Sequence, residues 1–291
     1  MKIINNIKEL RQKLIKYKVN NQKIGFVPTM GYLHKGHASL ITLAKNDDNI
    51  VVVSIFVNPL QFGKNEDLDK YPKDLAMDSK LCEQYGVDIL FIPDANEILG
   101  NNSNTILTSV NISTLDQNLC GAMRIGHFNG VCTIVSKLFN IVMPDRAYFG
   151  KKDIQQLRII EKMTNDLNYP IDIIGGEIIR DVDGLALSSR NSYLNHTERT
   201  AATIVPNTLQ YIITLITKDK IMQTMELITM ANHFIKTEPL AKIDYIEIVD
   251  NTNLQHLETI TNNAIIAIAI HIGQTRLIDN FIYTSCYSSI K

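Results

Sequence analysis

The sequence predicts an α/β fold, a parallel sheet covered by helices, followed by a smaller α+β unit with a short antiparallel sheet. Three observations carry this reading. Short β-branched runs alternate with helical stretches as far as residue 181, the pattern of parallel strands joined by right-handed crossovers. A purely helical segment follows. After residue 239 three β-rich runs succeed one another across short turns, which points to antiparallel pairing. The chain has 291 residues, 45% apolar and 20% charged, enough to bury a sizeable core.

The elements follow in order. Ile3, Ile7, Leu10 and Leu14 recur at helical spacing with lysines between them, so the chain opens on an amphipathic helix with a solvated basic face. Residues 24–31, IGFVPTMG, form a short apolar strand ended by Pro28 and Gly31. A Leu- and Ala-rich helix over 37–45 leads to VVVSIFV at 51–57, a continuous run suited to a strand covered on both faces. A helix over 74–85 precedes a strand over 87–93. The series continues with a helix over 131–142, a strand over 146–150, a helix over 154–167 and a last strand over 171–181. Residues 197–217 are then helical with a kink or restart at Pro206. A second helix covers 222–236, and strands cover 244–250, 264–273 and 275–283. The division expected is a Rossmann-like domain over 1–181 and a smaller lid domain over 182–291. The tail TSCYSSIK has no periodicity and is expected to fray.

Composition removes several classes of function. Lys plus Arg number 29 against 30 Asp plus Glu, a formal net charge of −1. Proteins held on nucleic acid by phosphate electrostatics are usually markedly basic, so a nucleic-acid partner is not expected, although a local cationic pocket is compatible with this balance. Cys82, Cys120, Cys132 and Cys286 form no CxxC pair, which suggests neither a zinc site nor a disulfide framework. The N-terminus lacks a continuous apolar segment of the signal-peptide kind. The longest apolar run, residues 264–270, is too short to span a bilayer. A soluble cytoplasmic protein with no membrane partner is expected.

The chemistry-bearing residues cluster at strand-to-helix junctions. Residues 31–37 have the glycine spacing of a phosphate loop, but His37 stands where such a loop needs Lys. What remains is strand, glycine turn, His34-x-Gly36-His37, then helix. Backbone N–H groups and two imidazoles at a helix N-terminus favour an anion. The imidazoles can bond phosphate oxygens and add positive charge as a transition state gains negative charge, while Gly36 leaves room for a nucleotide. An isolated HxxH would read as polar loop; the flanking strand, helix and glycine favour nucleotide binding. Gln61, in NPLQF at the C-terminal end of the buried strand, offers donor and acceptor for a small hydroxy acid. A turn capped by Asn58 and Pro59 is the equal alternative there. Gly150-Lys151-Lys152-Asp153 opens another helix; a lysine suits phosphate, Asp153 can cap, and Gln156 lies on the first turn. Residues 180–191, RDVDGLALSSRN, place two serines and Arg190 on a loop at the domain junction, able to close over a triphosphate. Arg124 and His127 lie in a glycine-rich loop, where Arg124 can contact a carboxylate or phosphate. Cys120 and Cys132 read as small core residues.

Taken together, VPTMGYLHKGH, FVNPLQF, LCGAMRIGHFNGV, YFGKKDIQQL, RDVDGLALSSRN and TRLIDN resemble the pantoate–β-alanine ligase (pantothenate synthetase) family, within the HxGH nucleotidyltransferases. They run in the family's order across residues 27–280. The resemblance implies an AMP-forming ligase of pantothenate (coenzyme A precursor) biosynthesis, condensing (R)-pantoate with β-alanine through a pantoyl adenylate. It implies catalytic roles for His34, His37, Lys152, Ser188, Ser189 and Arg190, with His37 as proton donor. The ATP site would be Met30, Gly31, Tyr32, Leu33, His34, Lys35, Gly36 and His37, joined by Gly150, Lys151, Lys152, Asp153, Ile179, Leu187, Ser188, Ser189 and Arg190. Gln61 and Gln156 would bind pantoate, and Gln61 also β-alanine. Mg²⁺ on the phosphates, with no protein ligand assigned, and a homodimer are implied as well. Three positions depart from the family: Ile125 for Pro, Asn129 for a basic residue, and Leu187 for Met. The competing readings are another HxGH nucleotidyltransferase and a non-catalytic nucleotide-binding relative. The first predicts a basic cluster for a substrate phosphate where this chain has glutamines.

Overall fold

The computed structural model describes residues 1–64, 66–100 and 106–284. Six strands form one parallel sheet: β1 (Lys2–Ile4), β2 (Ile24–Thr29), β3 (Ile50–Ile55), β4 (Ile89–Phe91), β5 (Arg146–Gly150) and β6 (Asp172–Gly176), in the order β1-β4-β3-β2-β5-β6. Helices α1 (Ile7–Val19), α2 (Lys35–Asp47), α3 (Leu75–Gln84), α4 (Ala95–Leu99), α5 (Leu119–Met123), α6 (His127–Val142) and α7 (Ile154–Asp166) connect them. Strand alternation sorts the core into two layers. Phe26, Val52, Ile89 and Phe91 face α1, α6 and α7, while Val27, Val51, Val53 and Leu90 face α2 and α3.

From β2 the chain moves to β3 on one side, whereas β5, on the other side of β2, leads outward to β6. Connections therefore diverge above the C-terminal ends of β2 and β5. In open parallel sheets such a switch point leaves a crevice where ligands bind.

The second sheet is an antiparallel meander of β7 (Ala241–Asp250), β8 (Ala264–Ile272) and β9 (Thr275–Tyr283). Ile246, Ile248, Ile266, Ile268 and Ile270 pack on α9 (Ile204–Thr217) and α10 (Thr224–Ile235). Val249, Ile265 and Ala267, on the opposite face, join the core of the first sheet. Burial on both faces explains why β8 is a continuous apolar run.

Several expectations need correction. Ile3 belongs to β1, not to the first helix, because Asn6 caps α1 by accepting from the Glu9 N–H at 2.8 Å. The helix after HxGH starts at Lys35 rather than 37. The helical segment over 197–217 splits into α8 (His196–Ala201) and α9, with Pro206 in the first turn of α9, where its missing N–H costs nothing. The strand expected over 171–181 stops at Gly176. Beyond it, residues 179–187 fold back on themselves, with Arg180 bridging Ala186 and the Leu187 N–H donating to Ile179 at 2.9 Å. Nearly all of the tail expected to fray, including Cys286, lies outside the described residues. Cys82, Cys120 and Cys132 are free and buried.

Candidate active site

The crevice above β2 and β5 holds a cavity of about 250 Å³ lined by Met30, His34, Gly36, His37, Gln61, Gly150, Lys152, Asp153, Gln156, Ile179, Leu187, Ser188, Ser189 and Arg190, among others. A larger cavity of about 850 Å³ adjoins it toward β9, with Lys152, Asp153, Gln156, Ser188 and Arg190 on the shared wall. The smaller cavity is the candidate site, because of the two it alone is lined by His34 and His37.

His34 caps α2. Its Nδ1 accepts from the Gly36 N–H at 3.1 Å, and its own N–H donates to His37 Nδ1 at 3.3 Å. Each Nδ1 is thus an acceptor, so in the neutral rings the proton sits on Nε2. Burial, with Lys152 acting in the same direction, pushes the His34 pKa down to about 4. Burial, then His34 and Lys152, pushes that of His37 down to about 3. The pair therefore offers neutral N–H donors rather than the positive charge expected. Gly36 lines the cavity and also has a local reason. A Cβ there would lie 2.9 Å from the His34 ring, so the glycine makes room for its own neighbour.

The loop before His34 is held by a residue that the motifs do not reveal. Asp78 on α3, buried, accepts from the backbone N–H groups of Tyr32 at 2.9 Å and Leu33 at 2.6 Å. Burial pushes its carboxyl above the usual range, against those N–H groups. Gly31 turns the chain at φ 89°, and a Cβ on it would meet Asp78 Oδ2 at 3.1 Å.

Gln61 ends a 3₁₀ turn, Pro59–Gln61, seated on α6 at Gly130, where a Cβ would come within 2.2 Å of the Leu60 carbonyl oxygen. Asn58 Nδ2 donates to Gln61 Oε1 at 3.0 Å and to the Gly130 carbonyl at 3.1 Å. Asn58 also caps the turn, so the capped turn and a presented Gln61 coexist. His127 supports the same residue: it accepts from Arg124 Nη1 on Nε2 at 3.0 Å and donates from Nδ1 to the Gln61 carbonyl at 2.7 Å. Burial and the nearby Arg124 push its pKa down to about 4, which keeps the ring neutral.

These three imidazoles have a measurable consequence. Their folded pKa values lie below 6.5, so the unfolded chain binds protons that the folded chain does not between about pH 4 and 6.5. Stability is then expected to fall as pH drops through that window, by about 2 kcal/mol per imidazole at pH 5. Thermal melts at pH 7 and pH 5 check this; equal Tm values would contradict buried neutral histidines.

The cations of the cleft are already paired. Arg190 forks onto Asp67, with Nε to Oδ2 at 2.9 Å and Nη2 to Oδ1 at 2.8 Å, and lies 5.7 Å above the Tyr71 ring. Burial works against ionising Asp67, but Arg190 more than offsets it and holds that carboxyl below its usual range. Arg124 contacts the Glu66 carboxylate, at 2.7 Å through Nε. Lys152 Nζ lies 3.0 Å from Asp153. Asp153 does not cap α7, since its side chain makes no capping bond there. Burial opposes its charge, yet Lys152 and then Arg190 hold its carboxyl below the usual range. Ser189 Oγ donates to the Tyr32 carbonyl at 3.1 Å, tying this loop to HxGH, and Ser188 Oγ accepts from the Arg190 N–H at 3.3 Å.

Five residues of the expected ATP set do not line the cavity. Leu33 is buried in the core, Lys35 is exposed, and Lys151 is paired with Glu177. Gly31 and Tyr32 form the turn behind it. Gln155, beside Gln156, is turned inward and bonds the carbonyls of Leu115 and Asn118. Of the departures, Ile125 is exposed, and Asn129 accepts from the Ile112 N–H at 3.2 Å on a face outside both cavities. Leu187 lines the smaller cavity.

Comparison with known proteins matches the chain to a family. The family model "Pantoate-beta-alanine ligase" fits residues 2–282. The pantothenate synthetase of Clostridium botulinum (strain Kyoto / Type A2) is 50% identical over 284 residues, covering 97% of this chain and 99% of that protein. Among solved structures, the pantothenate synthetase of Thermus thermophilus superposes with a TM-score of 0.90 at 38% identity, covering 97% of this chain and 99% of that one. The pantoate-beta-alanine ligase of Francisella tularensis, complexed with beta-gamma ATP and beta-alanine, superposes with a TM-score of 0.80 at 36% identity, covering 97% of each chain. Matched almost end to end by model, sequence and structure, the chain belongs to the pantoate-beta-alanine ligase family.

Proposed function

We propose that the protein condenses (R)-pantoate with β-alanine in an ATP-consuming reaction, giving pantothenate, AMP and pyrophosphate through a pantoyl adenylate. The observation that carries this is the convergence of two Nε2–H donors, Lys152, Arg190, Gln61 and Gln156 on one cavity at the sheet's switch point. Pantoate's carboxylate oxygen attacks the α-phosphorus, and the bond to the β,γ-phosphates breaks to release pyrophosphate. His34 and His37 donate N–H bonds to phosphate oxygens as charge shifts onto the leaving group, in a buried setting that strengthens such bonds. Lys152 and Arg190 attract the same oxygens, and Ser188 and Ser189 shape the loop carrying Arg190. Ile179 and Leu187 give the base an apolar wall. The amine of β-alanine then attacks the anhydride carbonyl beside Gln61, the bond to AMP breaks, and the amine loses a proton. The ligand set of the Francisella tularensis structure supports ATP and β-alanine as co-substrates.

Among the described residues no group of three or more His, Cys, Asp or Glu is placed to hold a metal. That fits Mg²⁺ carried on the phosphates, since this ion usually takes only one or two carboxylates besides them. Asp153 and Glu177 are the carboxylates lining the cavity that are available to it. When bound, Mg²⁺ neutralises the pyrophosphate leaving group. We also read residues 1–181 as the nucleotide- and pantoate-binding domain and 182–291 as the lid. The reading rests on a cavity lined from both parts and a second core under β7–β9. A homodimer and a cytoplasmic setting complete this reading. In support of the dimer, Ile15 and Val19 are exposed on α1; among the described residues no helix is long and apolar enough to cross a membrane.

The deciding experiment is pyrophosphate exchange into ATP with and without D-pantoate. Pantoate-dependent exchange, followed by AMP release on adding β-alanine, is the expected result; its absence in folded protein sinks the ligase reading. A second prediction concerns Gln61, held by Asn58 from one side and by its Nε2 bond to Met30 Sδ at 3.3 Å on the other. Gln61→Ala is expected to raise the KM for pantoate by ~10-fold or more, with the ATP KM little changed. An unchanged pantoate KM removes Gln61 from that subsite.

A further inference from the structure

TRLIDN on β9 has no part in the reaction as derived, yet two adjacent residues of it reach the two loops that face the phosphates. The Asn280 amide donates to the carbonyls of Lys151 at 3.0 Å and Lys152 at 2.8 Å. Asp279 takes Arg180 in a fork, Nη1 to Oδ2 at 2.6 Å and Nη2 to Oδ1 at 3.0 Å. Arg180 also donates to the Gly184 carbonyl at 2.9 Å, which ties the apex of the 179–187 turn to its base. Both β9 residues are buried.

Lys152 carries its charge on a flexible four-carbon stem, so its reach is defined only as well as its backbone is. That backbone lies in the short 3₁₀ turn Lys151–Asp153, preceded by Gly150, around which a Cβ would meet nothing within 4 Å. The turn has little packing of its own on that side. Asn280 is well suited to hold it, because one side-chain amide supplies two donors for two successive carbonyls. A carboxylate at 280 would present only acceptors to those oxygens.

We propose that Asn280 is a positioning residue, which holds the Lys151–Lys152 turn from the second sheet so that the Lys152 ammonium meets the triphosphate. The proposal rests on the reading of the cavity as an ATP site. It makes β9 a common brace, with Asn280 on one phosphate-facing loop and Asp279 on the other. Asp279 is the poorer target for a test, since its removal leaves Arg180 without its buried partner.

The test is ATP binding by calorimetry and exchange kinetics in Asn280→Asp, Asn280→Ser and wild type, each also in a Lys152→Ala background. Both single variants are expected to weaken ATP binding and raise the ATP KM by ~10-fold, with the pantoate KM held. In the Lys152→Ala background the same changes are expected to add almost nothing, because the two residues act in series. A general loosening of the fold would instead multiply with Lys152→Ala. That multiplication, or an ATP Kd in Asn280→Ser equal to wild type, overturns the proposal. Should Asn280→Asp fail to fold, Asn280→Ser, which leaves space for water, carries the same comparison. A wild type that binds ATP without pantoate-dependent exchange would end the ligase reading, while the Kd comparison would still decide on Asn280.

Discussion

His37→Ala lowers pantoate-dependent pyrophosphate exchange by at least ~100-fold, the expected cost of losing a donor aimed at developing phosphate charge in a buried site. The helix should survive, since position 37 lies in the first turn of α2 and Ala is a good helix former. The His34 N–H loses its Nδ1 acceptor, so a modest fall in Tm is expected alongside. The low pKa sharpens the test. If a neutral Nε2–H is what the reaction uses, Gln at 37, which also presents an N–H, should recover part of the rate. If a proton must be delivered, Gln should do no better than Ala. A near-wild-type rate in His37→Ala would remove the residue from the mechanism.

The second large effect is expected at Asp78, far in sequence from the motif it serves. Asp78→Ala leaves two N–H groups of the 32–33 turn unpaired in a buried place, at about 1–3 kcal/mol each. A loss of several kcal/mol in unfolding free energy is expected, together with at least a ~10-fold slower exchange, because the same turn aims His34. Asn at 78 keeps one carbonyl acceptor and should fall between wild type and Ala. Denaturant titration with unchanged stability in Asp78→Ala would show that the turn holds itself.

The contrast between these two residues indicates what the sequence could disclose. His37 announces itself because glycine, histidine and helix start lie together within a few residues of a strand. The strands over 24–31, 51–57 and 146–150 were equally legible as short apolar or aromatic runs set between helical stretches, the second of them largely β-branched. Asp78 is one acid among several, and only its place on the face of α3 that buries Cys82, four residues on, hints at an inward role. Asp67 and Glu66 lie in an irregular segment with no period to interpret. The neutrality of His34, His37 and His127 is a matter of burial, which depends on packing between distant segments. β1 escaped notice because three residues are too few to distinguish from the start of the helix that follows. The return of the chain over 179–187 escaped for another reason: IIGGEII looks like a strand until the backbone after Gly176 leaves the sheet. Gln156 and Gln155 show the same limit at close range, since helical phase decides which of two identical neighbours faces the cleft.

The pairing of Arg190 with Asp67, and of Arg124 with Glu66, makes this cleft an ion exchanger. On the proposed reaction, a phosphate that takes the Nε–Nη2 edge of Arg190 displaces the Asp67 carboxylate, so the affinity gained there is the difference between two ion pairs rather than the whole of one. If pyrophosphate is the product, as proposed, the exchange runs backwards as well: Asp67 and Glu66 are placed to take Arg190 and Arg124 again as it leaves. Strength of attraction is thereby traded for ease of turnover, a balance hidden by a net charge of −1.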